Sequence, residues 1–142
     1  MVSERLLGLD IGGKRIGVAI SDEMGSIASP LTMIDARSNV AQQLDQLIKR
    51  YGISRLVVGL PIGLSGREGP QAQEVRSVAE ALVESLGVEL VYSDERMSSA
   101  VAEQALISQG TRREKRKQHI DAMAAAVILQ GYLDHQRWKS GR

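Results

Sequence analysis

The sequence has no cysteine and no phenylalanine, and its aromatic residues are three tyrosines and one tryptophan. Without cysteine the chain can form no disulfide, no thiolate metal site and no cysteine nucleophile. Histidine is scarce as well, since His119 and His135 are the only two, which excludes a histidine-rich zinc site. A metal ion on this chain would therefore be held mainly by oxygen ligands, which Mg²⁺ and Mn²⁺ prefer.

The chain also lacks a strong net charge and long apolar runs. It has 18 Lys+Arg against 17 Asp+Glu, a formal net charge of +1, so nucleic-acid binding would require a local basic patch. No apolar run approaches the ~20 residues that a membrane-spanning helix needs, and the first residues do not have the layout of a signal peptide. We therefore expect no membrane association and a cytoplasmic location.

The 142 residues contain no repeat, no low-complexity segment and no evident domain boundary, so we expect residues 1–142 to form a single domain. Short apolar runs rich in β-branched residues predict five strands. Pro30 interrupts the third run, which is typical of an edge strand. The predicted strands are Leu6–Ile11, Ile16–Ile20, Ile27–Ile34, Leu56–Leu60 and Val88–Tyr92.

Apolar residues at helical spacing predict four helices. Pro70 is suited to opening the second helix and Gly87 to closing it, and the segment Gly110–Gln118 is expected to be a loop. The order βββαβαβαα predicts an α/β fold, in which an antiparallel meander and two later parallel strands form a mixed five-stranded sheet flanked by helices. The predicted helices are Val40–Tyr51, Pro70–Leu86, Ser98–Gln109 and Ile120–Tyr132.

Gly8 to Lys14 has the spacing of a phosphate-binding loop, a glycine followed by four residues and then Gly-Lys. Position 15 is arginine, whereas that loop needs a Ser or Thr hydroxyl there for magnesium, and a strand follows where the loop would open a helix. A hairpin that turns at Gly12-Gly13 is therefore favoured. It leaves Asp10 at the end of an apolar strand, where a carboxylate either binds metal or simply ends the strand and caps the turn.

Two more carboxylates stand at the ends of predicted elements. Glu95 follows the last strand, and the carboxyl ends of parallel strands are where α/β sheets bind ligands; alternatively, Glu95 and Arg96 form a surface ion pair. Asp121 begins the last helix, where an acid also stabilises the helix N-terminus. The alanines that follow it would let the helix pack close to the sheet. Asp10, Glu95 and Asp121 together could hold the divalent ions that phosphodiester hydrolysis uses.

A basic run, residues 112–117, precedes the last helix and contains five cations and one Glu, a net +4. A charge run is usually only a solvated surface, but beside a metal site it could bind the phosphate backbone of a nucleic acid. No aromatic residues are interleaved with it, so recognition would depend on shape and backbone. The candidate contacts are Lys14, Arg15, Arg67, Arg96, Arg112, Arg113, Lys115, Arg116 and Lys117.

Several segments, in this order, resemble the YqgF (RuvX) family, whose members are described as Holliday-junction resolvases and as nucleases of precursor 16S ribosomal RNA. The resemblance implies a ribonuclease-H-like fold and an active site of Asp10, Glu95 and Asp121 around Mg²⁺ or Mn²⁺. Two departures are visible, because Met97-Ser98-Ser99 replaces the family's Leu-Thr-Thr, and Gly63 and Ser65 stand near positions where the family has Asn and Asp. The matching segments are Leu7–Ala19 with Ser21-Asp22, Val57–Pro61, Asp94-Glu95-Arg96, and Ile120-Asp121 with Ile128-Leu129-Gln130.

Three functions are compatible with these features. The first is a metal-dependent nuclease on structured nucleic acid, with precursor ribosomal RNA favoured over branched DNA. The second is an RNA-binding ribosome-assembly factor without catalytic activity. The third is an ATPase of the actin or sugar-kinase type, since Asp10-Ile11-Gly12 resembles their first phosphate loop, but those folds enclose the nucleotide between two such domains. The protein is expected to be a monomer or a homodimer, and a junction resolvase would need the symmetric dimer.

Overall fold

The computed structural model describes residues 5–61, 69–94 and 113–139, except for the side chains of 94, 113–121 and 137–139. Strands and helices alternate in the later part of the chain, as the apolar patterns predicted. The elements are β1 (Arg5–Ile11), β2 (Arg15–Ser21), β3 (Ala28–Asp35), α1 (Val40–Tyr51), β4 (Ile53–Leu60), α2 (Pro70–Leu86), β5 (Glu89–Asp94) and α3 (Arg113–Lys139).

Within the described residues, the strands form one mixed sheet in the order β3-β2-β1-β4-β5. β2 pairs antiparallel with both β1 and β3, whereas β4 pairs parallel with both β1 and β5. β1 and β4 lie inside the sheet with both faces covered, which explains why they are nearly continuous apolar runs. Pro30 lies on the edge strand β3, where the register shifts opposite Ala19, so the prediction of a mixed sheet with an edge proline is confirmed.

The helix ends follow from local sequence. The Asn39 side chain accepts a hydrogen bond from the Gln42 backbone N–H and caps α1. Pro70 occupies the first turn of α2, where a backbone N–H is not needed. Gly87 ends α2 at φ 69°, a left-handed conformation that glycine adopts without strain. Both predicted boundaries of α2 are therefore confirmed.

Each face of the sheet has its own hydrophobic core. On one face, Leu7, Leu9 and Val58 pack with buried residues of α1 and α2. On the other face, Leu6 and Val57 pack with α3. The alanines of α3 that were expected to allow close packing are buried: Ala122, Ala124, Ala125 and Ala126.

The structure extends the last helix beyond both ends of the predicted Ile120–Tyr132, to Arg113–Lys139, and leaves one predicted helix untested. Residues 113–118 were expected in a loop, but α3 already begins at Arg113, because Arg, Lys and Glu are good helix formers and a charge run indicates exposure rather than irregular structure. The predicted helix Ser98–Gln109 lies outside the described residues. In the part of the chain that the structure covers, no helix combines the length and apolarity required to cross a membrane.

Candidate active site

Asp10 lies near the end of the central strand β1 and is half-buried. Side chains alternate between the two faces of a strand. Leu7 and Leu9 belong to the core under α1 and α2, whereas Leu6 belongs to the core under α3. Asp10 is four residues after Leu6, so its carboxylate lies on the face that α3 covers.

The sheet surface beside Asp10 consists of residues with little or no side chain. Asp10 pairs with Gly17 of β2. On the other side, Leu9 pairs with Val58, so Gly59 is the next residue of β4, and Gly59 pairs with Ser93 of β5. Glycine in a strand often marks a place where a ligand approaches the backbone. The strand positions on both sides of Asp10 therefore carry no side chain.

Helix α3 runs antiparallel to β1 and approaches this end of the sheet with its first half. Near the start of β1, Arg55, the partner of Leu6, donates a hydrogen bond to the Tyr132 hydroxyl at 2.7 Å. Two residues further along β1, Gly8 faces Ala125 and Leu129. Residue numbers along α3 therefore decrease as residue numbers along β1 increase, as expected for two antiparallel elements.

The same register locates residue 121 on the helix backbone. Asp121 precedes Ala125 by four residues, so it is one turn further along the same side of α3. A helix advances ~1.5 Å and a strand ~3.3 Å per residue, so four helical residues correspond to about two strand residues, the distance from Gly8 to Asp10. The backbone of residue 121 therefore lies at the end of the sheet that carries Asp10.

The remaining predicted carboxylate, Glu95, lies outside the described residues. It directly follows Asp94, the last residue of β5, which pairs with Leu60 at the end of β4. Because β1, β4 and β5 are parallel, their carboxyl ends share one edge of the sheet. Among the described side chains no group of three His, Asp or Glu residues could hold a metal ion, and that set contains only Asp10 of the three predicted ligands.

Two predicted nucleic-acid contacts, Lys14 and Arg15, lie beside the turn between β1 and β2, at the edge of the sheet where Asp10 lies. The Gly12 N–H donates to the Arg15 carbonyl at 2.9 Å, and a Cβ on Gly12 would stand 2.8 Å from that oxygen. Position 12 therefore requires glycine, as the predicted hairpin implied. Lys14 and Arg15 are both exposed beside this turn.

Arg37 is a cation that the sequence pattern did not single out. The Ala36 N–H donates to the Lys14 carbonyl at 2.9 Å, which ties the turn between β3 and α1 to the hairpin. The Arg37 side chain is 85% exposed and approaches Asp35 at 3.5 Å. The Arg37 backbone N–H also donates to Asp35 and lowers the pKa of that carboxyl. Arg37 has no neighbouring cation in the sequence. The pairing of Arg15 with Asp35 in the β2–β3 ladder and the hydrogen bond from Ala36 bring it to the hairpin.

Helix α3 begins at Arg113, the second residue of the predicted basic run 112–117. Arg113, Lys115, Arg116 and Lys117 belong to the first turns of the helix, and Arg112 and Arg96 lie outside the described residues, as does Arg67. Residues 113–117 precede Asp121 by four to eight positions, so their backbone extends roughly 6–12 Å beyond it. The helix thus carries the basic run past the edge of the sheet where Asp10 lies.

Comparison with known proteins gives consistent results. The family described as RuvX, Holliday junction resolvase, matches residues 4–135. A relative from Bacillus cytotoxicus, named "Putative pre-16S rRNA nuclease", is 46% identical over 134 residues, which cover 92% of this chain and 98% of the relative. A relative of the same name from Bacillus thuringiensis is 47% identical, with the same coverage of both chains.

Solved structures show the same fold at low sequence identity. Thermus thermophilus RuvC in complex with a Holliday junction substrate matches with a TM-score of 0.60 and 15% identity, covering 94% of this chain and 95% of RuvC. The fowlpox virus resolvase, in a complex with Holliday junction DNA, matches with a TM-score of 0.60 and 10% identity, covering 93% and 98%. The predicted ribonuclease-H-like arrangement is thereby confirmed. The family match and the identity of these relatives over almost the whole chain show that this protein belongs to the RuvX family.

Proposed function

We propose that this protein is a divalent-metal-dependent nuclease that hydrolyses phosphodiester bonds during maturation of the 5′ end of precursor 16S ribosomal RNA. One observation carries the proposal: the half-buried Asp10 carboxylate lies between glycines of the neighbouring strands, at the edge of the sheet where β5 ends and where the first half of α3 lies. Family membership and the names of the relatives support a hydrolase of phosphodiester bonds. A role on ribosomal RNA also fits a cytoplasmic location.

The proposed metal site combines three acids from different parts of the chain. Asp10, Glu95 and Asp121 would hold Mg²⁺ or Mn²⁺, which carboxylate oxygens bind well. When bound, such ions lower the pKa of the attacking water and stabilise charge on the leaving oxygen. The small residues beside Asp10 fit this task, since Gly17 and Gly59 put no side chain next to the carboxylate to compete with an ion or a phosphate.

The basic residues would hold the nucleic acid across this edge. Lys14 and Arg15 lie beside the hairpin turn, and residues 113–117 lie in the first turns of α3. The N-terminus of a helix carries a partial positive charge, so a cluster of cations there opposes helix stability. A phosphate bound at this end would interact favourably with both the cations and the helix. This electrostatic cost supports a binding role for the run rather than a merely solvated surface.

A second candidate function is resolution of Holliday junctions, which the description of the matching family favours. Paired cuts in a four-way junction require two active sites related by symmetry, so this function would need a homodimer. Precursor rRNA is placed first because the relatives with that name are 46–47% identical over nearly the whole chain. The junction-bound structures share at most 15% identity.

A cleavage assay tests the proposal. Wild-type protein, Asp10→Asn and Asp45→Asn are incubated with a 5′-extended precursor 16S rRNA fragment or a four-way DNA junction, each with Mg²⁺, Mn²⁺ or chelator. Asp45→Asn is the matched control, because Asp45 lies on α1 and pairs with Lys49 at 3.0 Å. We expect metal-dependent cutting of the RNA by wild type and Asp45→Asn, and none by Asp10→Asn.

Other outcomes separate the alternatives. Cutting of the junction alone would establish the resolvase, whereas RNA binding without cutting by any variant would favour an assembly factor. Calorimetric titration with Mn²⁺ adds a readout that does not depend on activity. Asp10→Asn should lose Mn²⁺ binding while unfolding at the same temperature as wild type, and unchanged Mn²⁺ binding would refute the role of Asp10 as a ligand.

A further inference from the structure

A groove of about 510 Å³ lies on the face of the sheet opposite α3. Its walls come from four segments that are distant in the sequence: the β1–β2 hairpin, the β3–α1 turn, α1 and α2. Most of the lining is apolar, with two glycines and two polar side chains. The lining residues are Ile11, Gly12, Gly13, Ile16, Ala36, Val40, Gln71, Glu74, Val75, Val78 and Leu82.

The groove and the candidate active site share the end of one strand. Ile11 lines the groove, and Asp10, the residue before it, has its carboxylate on the opposite face of the sheet. The Gly12-Gly13 turn forms the edge between the two faces. A chain that crosses this edge would contact Asp10 on one side and the groove on the other.

Cations flank the groove where it meets this edge. Lys14 follows the lining residue Gly13, and Arg37 follows the lining residue Ala36. The 2.9 Å hydrogen bond from Ala36 to Lys14 holds these two segments together. An anionic group at the edge would therefore meet positive charge, whereas a group inside the groove would meet mostly hydrocarbon.

The far wall offers hydrogen bonds. Gln71 and Glu74 are three residues apart on α2, so they lie on the same side of the helix, and both are exposed. The Glu74 carboxylate only accepts hydrogen bonds, whereas the Gln71 amide can both donate and accept. This wall therefore suits the edge of a flat, partly polar molecule that presents N–H donors.

We propose that the groove binds one unpaired nucleobase of the nucleic-acid substrate, adjacent to the phosphate that Asp10 approaches. This inference rests on the proposed function, which requires a nucleic acid at this edge. The volume is within the 300–1,000 Å³ typical of ligand pockets. Phosphates on either side of the base meet Lys14 and Arg37, the base lies between Val40, Val78 and the glycine backbone, and its edge faces Gln71 and Glu74.

The chemistry of Glu74 selects among bases. A carboxylate accepts hydrogen bonds from the amino group of cytosine. Uracil presents a carbonyl oxygen at the corresponding position, so it would place two acceptors against each other. The groove therefore prefers cytosine to uracil.

Binding of short oligomers tests the proposal without requiring cleavage. Fluorescence anisotropy in chelator compares labelled octamers of cytidine, of uridine and of base-free tetrahydrofuran phosphate. The wild-type protein should bind the cytidine octamer about tenfold more tightly than the base-free octamer, because only the base can be buried among the apolar side chains and hydrogen-bond to the groove. Uridine should lie between them.

Two variants of groove residues, each with a matched control on α2, test whether the preference among octamers arises in the groove. Val78 lines the groove and is 36% exposed, so Val78→Trp fills the groove without disturbing the core and should abolish the preference for cytidine over the base-free octamer. Gln73→Trp places the same side chain on an exposed position on the other side of α2, outside the groove, and should keep the preference. Glu74→Gln should narrow the gap between cytidine and uridine, whereas Glu80→Gln, which changes the charge equally, should not.

Several results would overturn the inference: equal affinity of wild type for the cytidine and base-free octamers, no binding of any octamer, or the same loss from Gln73→Trp as from Val78→Trp. The cleavage assay distinguishes this failure from failure of the proposed function. Metal-dependent cutting without base discrimination would support the nuclease function and refute base binding in the groove. If the protein cut nothing but discriminated between bases, and Val78→Trp abolished this discrimination, base binding in the groove would be supported and the nuclease function refuted.

Discussion

Gly8 of β1 and Leu129 of α3 are in such close contact that no side chain fits between them. A Cβ atom on Gly8 would stand 2.7 Å from the Leu129 Cβ and 2.9 Å from the Ala125 carbonyl oxygen. Both of these atoms are fixed by the helix backbone, so neither can move aside as the end of a flexible side chain could. The contact sets the distance between α3 and the strand that carries Asp10.

Gly8→Ala should therefore push α3 away from the sheet. We expect a loss of about 1–3 kcal/mol in the free energy of unfolding, the usual cost of overpacking a core. Cutting should fall as well, because the displaced helix carries Asp121. Urea unfolding and the cleavage rate of the folded variant measure the two effects.

Gly131→Ala is the matched control on the same helix. Gly131 is exposed and a Cβ there would meet nothing within 4 Å. Alanine is favoured over glycine inside a helix, so this change should stabilise the protein by about 0.5–1 kcal/mol and leave cutting unchanged. If Gly8→Ala were as stable and as active as the wild type, the close contact would not determine where α3 lies.

The sequence predicted those parts of the fold that depend on local patterns. The buried runs of β1 and β4, Pro30 at an edge, and Pro70 and Gly87 at the ends of α2 were all predictable, because each reflects burial or backbone conformation at its own position. The start of α3 was predicted wrongly, since a basic run indicates exposure whether it is helical or not. Arg37 was not found, because its place beside Lys14 depends on the register between β2 and β3, in which Asp35 pairs with Arg15. Apolar patterns predict strands but not the register between them.

The candidate site was also predictable only in part. Asp10 was identified because a carboxylate at the end of an apolar strand requires an explanation, and the structure puts its strand end where β5 also ends. The groove was not predictable, because its lining residues come from four segments and most of them look like ordinary core positions. The metal-ligand roles of Asp10, Glu95 and Asp121 remain predictions.

Gln130 provides a second link between α3 and the sheet. Its Oε1 accepts a hydrogen bond from the Ala28 N–H at 2.8 Å, and its Nε2 donates to the Ser26 carbonyl at 2.9 Å. Gln130→Ala should cost about 1–2 kcal/mol in unfolding free energy, because two partly buried backbone groups lose their partner. Gln136→Ala, an exposed position on the same helix, should change stability by less than about 0.5 kcal/mol. Equal effects of the two changes in thermal or urea unfolding would contradict this role.

Asp22 makes the stability of the β2–β3 turn depend on pH. The pKa of its carboxyl lies below the usual value, chiefly because the Ile27 backbone N–H donates to it, with the Ser26 N–H contributing and burial opposing. A carboxyl with a lower pKa in the folded state stabilises the protein above the pKa of the unfolded chain, ~3.9. This stabilisation is lost as the pH falls through the folded-state pKa.

Asp22→Asn should therefore be less stable than the wild type by about 1 kcal/mol at pH 7, a value that allows for the partial exposure of these hydrogen bonds. The difference should begin to shrink below pH ~4, where Asp22 of the unfolded chain becomes protonated, and it should be lost as the pH falls through the lower pKa of the folded state. Urea unfolding of both proteins at a series of pH values between neutral and acidic measures it. A difference that is constant over this range would mean that the charge of Asp22 has no part in the turn.

The hairpin cations should contribute to nucleic-acid binding through phosphate contacts. Each phosphate contact releases counterions, so the logarithm of the affinity falls with the logarithm of the salt concentration by ~0.7 per contact on single strands. Lys14→Ala and Arg15→Ala should each weaken binding of an RNA octamer and each reduce this slope by about that amount. Lys49→Ala serves as the control, because Lys49 is exposed in the last turn of α1, just before β4 begins and thus at the opposite end of the sheet from Asp10. If Lys49→Ala lowered the affinity and the slope as much as Lys14→Ala, binding would follow net charge alone, and the hairpin would not be the contact surface.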